Sequence, residues 1–258
     1  MAKLKLLALH VLFATSTAWS AGGKAPAPEN PSPGPEQPVS GGKMGTCGPS
    51  EGCAQNGEYF YNLAGSKGVV VCLHGSGGSA RAWGEAKNHS GKSSFLAALL
   101  AKGYGFVCPS SIDRGGKSWD SSDAATNSDV RNVDAILRKL GLTNARLFIV
   151  GHSNGGGFAS RYALLSENTK RVAAVQLSNA AGIVAMLRQA AYVFPTKFNY
   201  ARCDQTVNSS RVEKSADILR TRRIPYQIEE LSAKYDPALG CHDFLDTSSS
   251  TAAFFGGS

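Results

Sequence analysis

The sequence is short of charge, short of histidine, and lacks long apolar runs beyond its first twenty residues. Only 18% of its residues are charged. Lys and Arg outnumber Asp and Glu to give a formal +8, but the basic residues are scattered, with the densest cluster at Arg220, Arg222 and Arg223. That dispersal excludes the basic stripe that a nucleic-acid groove needs; no nucleic-acid partner is expected, only a solvated basic surface. No stretch past residue 20 is long and apolar enough to span a bilayer, and no internal repeat is evident. What remains is 258 residues with 42% apolar content, enough for one α/β domain with a substantial core.

The amino-terminal stretch differs from the rest. Lys3 and Lys5 precede an apolar run from Leu6 to Ala14 that is too short to cross a membrane, and Ala18-Trp19-Ser20 offers small residues at a cleavage site. Residues 1–20 are therefore expected to be a secretory signal and the protein to be secreted or periplasmic. Residues 21–45 hold six of the chain's eleven prolines, Pro26, Pro28, Pro31, Pro33, Pro35 and Pro38, with almost nothing apolar. This segment reads as an extended spacer, with the folded domain at 46–258. Six cysteines in an exported chain read first as a disulfide framework. Cys47 and Cys53 close a short loop and are expected to pair, whereas Cys72 and Cys108 are as consistent with buried thiols as with a bridge.

Beyond residue 57, apolar β-like runs alternate with segments of helical period. Strands are expected at 69–73, 104–108, 146–150, 172–177, 194–201 and 226–231. A helix is expected at 93–102, with Phe95, Leu96, Leu99 and Leu100 on its apolar face. Another should be capped by Asn127 or Ser128 and ended by Gly141, with Val130, Val133, Leu137 and Leu140 aligned. A Ser210/Glu213 capping box should open a later helix. The alternation predicts a mostly parallel sheet with helices on both faces, an α/β single domain without a large lid.

Between the strand at 146–150 and the next helix stands Gly151-His152-Ser153-Asn154-Gly155, followed by Gly156 and Gly157. Glycine weakens a helix interior by about 1 kcal/mol relative to alanine, so three in succession need a reason. A serine projected from a sharp strand-to-helix turn requires flanking residues without a Cβ, which is the G-x-S-x-G nucleophile elbow in its required context; Gly156 and Gly157 are expected to let the helix pack closely on the sheet. A phosphate loop does not fit, because no Gly-Lys-Ser/Thr follows these glycines. A serine needs a base. His74, His89 and His152 precede Ser153 and only His242 follows it, so the order Ser, acid, His that the elbow implies leaves His242. Among the acids between them, Asp204 stands after strand 194–201 on the rim where parallel sheets build sites, with Asp236 in reserve. Cys203 precedes Asp204 and Cys241 precedes His242. If the carboxylate and imidazole meet, a Cys203–Cys241 disulfide follows. Candidate oxyanion donors are the N–H of Ser76, in the glycine-rich loop after strand 69–73, and the N–H of Asn154. Gly75, Gly77 and Ala80 also fit a dinucleotide fingerprint, but the acid it wants about 20 positions on is missing; the next strand-end acid, Asp113, lies 33 positions past Ala80. Trp119, in a polar loop after strand 104–108, and His152 are candidate substrate contacts.

The segments "LHGSGG", "GHSNGGG", the Asp204 loop and "GCHDF" resemble, in order and spacing, the α/β-hydrolase superfamily. "GHSNGGGFASRYA" and "NSDVRNVDAIL" are similar to exported polyhydroxybutyrate depolymerases and feruloyl esterases, although that subgroup often carries Cys or Gln where this chain has Ser76. The resemblance implies a carboxylic-ester hydrolase with no metal and no cofactor. On this reading Ser153 is the nucleophile, His242 the base and Asp204 the orienting acid of a monomer acting on bulky or polymer-borne esters. A serine peptidase and a binding protein that retains the fold are the alternatives.

Overall fold

A computed structural model describes residues 39–84, 92–120, 127–231, 241–242 and 249–258. The expected signal segment, most of the expected spacer and the reserve acid Asp236 lie outside these residues. Eight strands form one sheet: β1 (Lys43–Cys47), β2 (Gly57–Asn62), β3 (Val69–Leu73), β4 (Gly105–Pro109), β5 (Leu147–His152), β6 (Val172–Ser178), β7 (Thr196–Ala201) and β8 (Tyr226–Leu231). The helices are α1 (Arg81–Gly84), α2 (Lys92–Ala101), α3 (Ser128–Lys139), α4 (Asn154–Leu165), α5 (Val184–Arg188), α6 (Ser209–Thr221) and α7 (Ser249–Gly256). None of them is long and apolar enough to cross a membrane.

The strand order is β1-β2-β4-β3-β5-β6-β7-β8. From β4 to β8 all pairs are parallel, while β1 and β2 run antiparallel at one edge. Alternation along the central strands divides the core in two. Val69, Val71 and Leu73 with Ile149, Val175 and Leu177 face α3, α4 and α6, where Val133, Ile136, Phe158, Tyr162, Val212 and Leu219 pack. Val70 and Cys72 with Phe148, Val150 and Ala174 face the opposite layer, built from Trp83, Phe95, Leu96 and Leu99 on α1 and α2 and Phe254 and Phe255 on α7. Strands covered on both faces read as unbroken apolar runs, which is why β3 has the bounds expected of it.

Three expectations need correction. The folded region begins before residue 46: Lys43 pairs with Tyr61, Gly45 with Tyr59, and Val39 is already buried. Lys43–Cys47 lacks the apolar signal of a core strand because it is an edge strand whose side chains are largely exposed. At α6, Ser210 and Glu213 do not form the cap. Asn208 is the N-cap and accepts from the Arg211 N–H, while Ser210 Oγ donates to the Asn208 side chain. Gly156 does allow close packing, since a Cβ there would lie 2.2 Å from Ala180 Cβ, but a Cβ on Gly157 would meet only Ile183 Cγ1 at 3.8 Å. Gly157 is not required by packing.

Candidate active site

Strand order reverses around β3, which lies between β4 and β5. In open α/β sheets ligands bind at such a point, beyond the carboxyl ends of the strands. Ser153 sits there, at the junction of β5 and α4, with φ 51° and ψ −119°. That left-handed backbone costs a non-glycine residue about 1–3 kcal/mol and persists only where its surroundings enforce it. The enforcement is visible on both sides. Ser153 N–H donates to Ser178 O at 3.0 Å, and the carbonyl of Ser153 receives the N–H groups of Gly156 and Gly157 as α4 begins. A Cβ on Gly151 would fall 2.2 Å from Gly155 O, and one on Gly155 would fall 2.4 Å from the carbonyl oxygens of both Leu73 and His74. The turn closes only because both positions lack a side chain.

The other two predicted groups converge on this serine. His242 Nε2 lies 2.6 Å from Ser153 Oγ, and His242 Nδ1 lies 2.7 Å from Asp204 Oδ2. Asp204 follows β7 by three residues and its side chain is fully buried. Its second oxygen accepts from the N–H groups of Thr206 at 2.8 Å and Val207 at 3.0 Å. Both carboxylate oxygens are therefore committed, one to the turn that holds the acid and one to the imidazole. With Nδ1 donating to the carboxylate, Nε2 is the acceptor for the serine proton. Chemically, such an arrangement can move a proton from a hydroxyl to an imidazole and stabilise the imidazolium that forms. The Cys203–Cys241 disulfide, with Cα atoms 5.6 Å apart, joins the residues that precede the acid and the base. Cys47–Cys53 is also bridged, while Cys72 and Cys108 are buried free thiols.

The glycine-rich loop after β3 lies against the serine: a Cβ on Gly75 would be 3.3 Å from Ser153 Cβ. Ser76 is exposed in that loop. The next N–H, that of Gly77, is already donated to Lys117 O at 2.7 Å. Asn154 is the first residue of α4, so its N–H has no acceptor within the helix.

Trp119 and His152 are not available to a ligand. Trp119 is 2% exposed. Its indole stacks on Phe158 at 4.7 Å and 12°, and Nε1–H donates to His74 O at 2.7 Å. A polar loop sequence conceals the fact that its one large apolar side chain turns inward onto α4. His152 is 3% exposed, and its Nε2–H donates to the main-chain oxygen of His242 at 2.7 Å. It supports the base from behind.

Sequence reasoning missed the groups that hold the rim. The loop carrying Trp119 is fastened to the serine segment by Asn154 Oδ1, which accepts from Trp119 N–H at 2.7 Å and from Ser118 Oγ at 3.2 Å. Asp129, on the first turn of α3, accepts from Ile112 N–H and Asp120 N–H, each at 2.7 Å, and from Ser111 Oγ at 3.2 Å. Burial pushes its carboxyl above the usual carboxylate range, opposed by these hydrogen bonds. His74 Nδ1–H donates to Gly75 O at 2.8 Å, and its Nε2 accepts from Ser111 N–H at 3.0 Å. Nothing in the spacing of these residues announces the contacts, because apart from Gly75 and Asp120 the partners lie 17 or more residues away in the chain. Among the described residues no cluster of three or more His, Cys, Asp or Glu side chains could hold a metal ion.

Residues 70–243 match the profile of the alpha/beta hydrolase family. The chain belongs to the alpha/beta hydrolase family. Solved structures with the same fold include a Klebsiella pneumoniae subsp. pneumoniae MGH 78578 protein described as a dienelactone hydrolase (TM-score 0.59, 16% identity, covering 83% of this chain and 98% of that one). An esterase of Pyrobaculum calidifontis aligns with a TM-score of 0.58 at 14% identity, covering 85% of this hydrolase and 86% of its own chain. A soluble variant of the monoglyceride lipase of Saccharomyces cerevisiae gives 0.56 at 12% identity, with 88% and 96% covered. At these identities the likeness is one of fold. No curated protein sequence matches the chain at a significant level.

Proposed function

We propose that this hydrolase is an exported serine esterase that cleaves carboxylic esters through an acyl-enzyme, acting on bulky or polymer-linked esters of the feruloyl, acetyl or polyhydroxyalkanoate type. The observation that carries the proposal is the placement of His242 between Asp204 at 2.7 Å and Ser153 at 2.6 Å. Ser153 Oγ attacks the ester carbonyl carbon while its proton passes to His242 Nε2. The oxyanion is received by the N–H groups of Ser76 and Asn154; losing one such donor typically lowers kcat by about 10²–10³-fold. The C–O bond to the alcohol then breaks, and the alcohol leaves with the proton from His242. Water repeats the sequence in the second half: His242 takes its proton, its oxygen attacks the acyl carbon, and Ser153 is released with that proton. Asp204 holds the useful tautomer and stabilises the imidazolium.

Two further features support the finer reading. The crossover from β6 to β7 contains only the short helix α5, so among the described residues this crossover adds no large lid, which suits a large ester. The basic, apolar start of the chain and the two disulfides suit an oxidising compartment. The test is a panel of p-nitrophenyl esters and aminoacyl amides, run on the protein and on Ser153→Ala. Ester turnover lost in the variant is the expected result. Turnover that survives the substitution contradicts the proposal, and cleavage of the amides alone replaces it with a peptidase.

A further inference from the structure

We infer that Asn179 is a positioning residue for the base, whose side chain ties the acid and base segments together beside the backbone bond that anchors the nucleophile; the inference rests on the Ser153–His242–Asp204 reading above. Asn179 follows β6 directly, is fully buried, and has φ 45°. Its neighbour Ser178 accepts the Ser153 N–H at 3.0 Å. Its own N–H donates to Asn199 O on β7 at 2.8 Å. Its side-chain oxygen accepts from Ala201 N–H at 3.1 Å, and Ala201 O in turn accepts the N–H of Asp204 at 2.9 Å. Its side-chain Nδ2–H donates to the main-chain oxygen of His242 at 3.0 Å. That oxygen also takes the Nε2–H of His152 at 2.7 Å, so both of its lone pairs are used. The backbone of the base is thus held by two donors on one side and by the Cys203–Cys241 bridge on the other.

A turn residue and a positioning residue make different demands here. The turn needs only a left-handed backbone, which asparagine tolerates and glycine adopts freely. Holding His242 needs the amide N–H as well. Asn179→Gly therefore keeps the turn and removes the side-chain bonds to Ala201 and His242. Asn179→Asp keeps the turn and the acceptor for Ala201 but presents an oxygen to the His242 carbonyl, where two acceptors cannot bond.

The experiment compares the protein with Asn179→Asp, Asn179→Gly and Ser153→Ala. It reads thermal midpoint, steady-state kinetics on p-nitrophenyl acetate, and the rate at which a fluorophosphonate labels Ser153. With the base displaced by a fraction of an ångström to an ångström, kcat should fall by up to about 10²-fold. KM should change little, and labelling should slow in parallel. A folded Asn179→Asp with wild-type kcat and labelling rate overturns the inference, as does a lowered midpoint with unchanged kcat, which marks a merely structural residue. Should Asn179→Asp not fold, Asn179→Gly decides by the same criteria. Activity retained by Ser153→Ala is a separate outcome and sinks the esterase reading itself.

Discussion

Replacing the three consecutive glycines of α4 by alanine, one at a time, should give stability changes of different sign. Each substitution gains helix propensity of about 1 kcal/mol. At Gly157 the new methyl meets only Ile183 Cγ1, at 3.8 Å, an ordinary contact, so the gain survives. We expect Gly157→Ala to stabilise by about 0.4–1 kcal/mol and to raise Tm by about 2–4 °C per kcal/mol. At Gly155 the methyl would lie 2.4 Å from two carbonyl oxygens of the β3 end, Leu73 and His74. These are backbone atoms of a central strand and its exit loop, so they cannot swing aside as a side chain would. Overpacking of this kind costs about 1–3 kcal/mol or more and outweighs the propensity gain. It also pushes the Ser76 loop away from Ser153, so ester turnover should fall further than stability alone explains. At Gly156 the obstacle is Ala180 Cβ at 2.2 Å, and Ala180→Gly should partly rescue Gly156→Ala. Urea unfolding followed by far-UV circular dichroism gives the stabilities, and initial rates on p-nitrophenyl acetate give the activities. If Gly155→Ala is as stable and active as the parent, or Gly157→Ala is destabilised by more than about 1 kcal/mol, the packing argument for the serine turn is wrong.

The Cys203–Cys241 bridge closes a segment with a sequence separation of 38, for which chain entropy gives about 4 kcal/mol. The paired Cys203→Ser, Cys241→Ser variant should lose about 2–4 kcal/mol in denaturant titration, with a drop in kcat even where it is fully folded. Unchanged kcat would show that the bridge does not position the base. Thiol titration of the unreduced protein should find no reactive thiol in the folded state and two after unfolding, because Cys72 and Cys108 are buried and the other four cysteines are bridged. Burial, reinforced by Cys72, pushes the Cys108 thiol well above its usual range. Above about pH 8.5 the unfolded chain's thiol ionises while the folded one keeps its proton. This contribution to stability is full below that pH and declines as pH rises through the folded value. Urea midpoints at pH 7.5 and pH 9.5 should fall more steeply for the parent than for Cys108→Ala; parallel slopes would argue against it.

The parts of this structure that sequence could disclose are those whose signal is local. β3 has the expected bounds, and β4, β5, β6 and β7 shift by one or two residues, because burial on both faces leaves an apolar run. β8 also has the expected bounds, although it is an edge strand most of whose side chains are exposed or half-buried. The serine turn was legible because glycine on either side of Ser153 has a steric cause. His242 was legible because it is the one histidine after that serine, and the Cys203–Cys241 pairing followed from adjacency to Asp204 and His242. β1 was hidden by its composition, since an edge strand such as Lys43–Cys47 has little to bury. Trp119 was misjudged because its neighbours in the loop are polar, whereas its burial depends on Phe158 on another element. Asp129 and Asn179 were not legible at all. Their partners, Ile112, Asp120, Ala201 and His242, come together only when the sheet and its loops are assembled.

The central claim is that Ser153 is activated by His242, and peptide mapping after reaction with a fluorophosphonate tests it most directly. A single adduct on the peptide containing Ser153, formed quickly by the parent and orders of magnitude more slowly by a folded His242→Ala variant, is the predicted result. An adduct on a different serine, or equal labelling rates with and without the His242 imidazole, would contradict it.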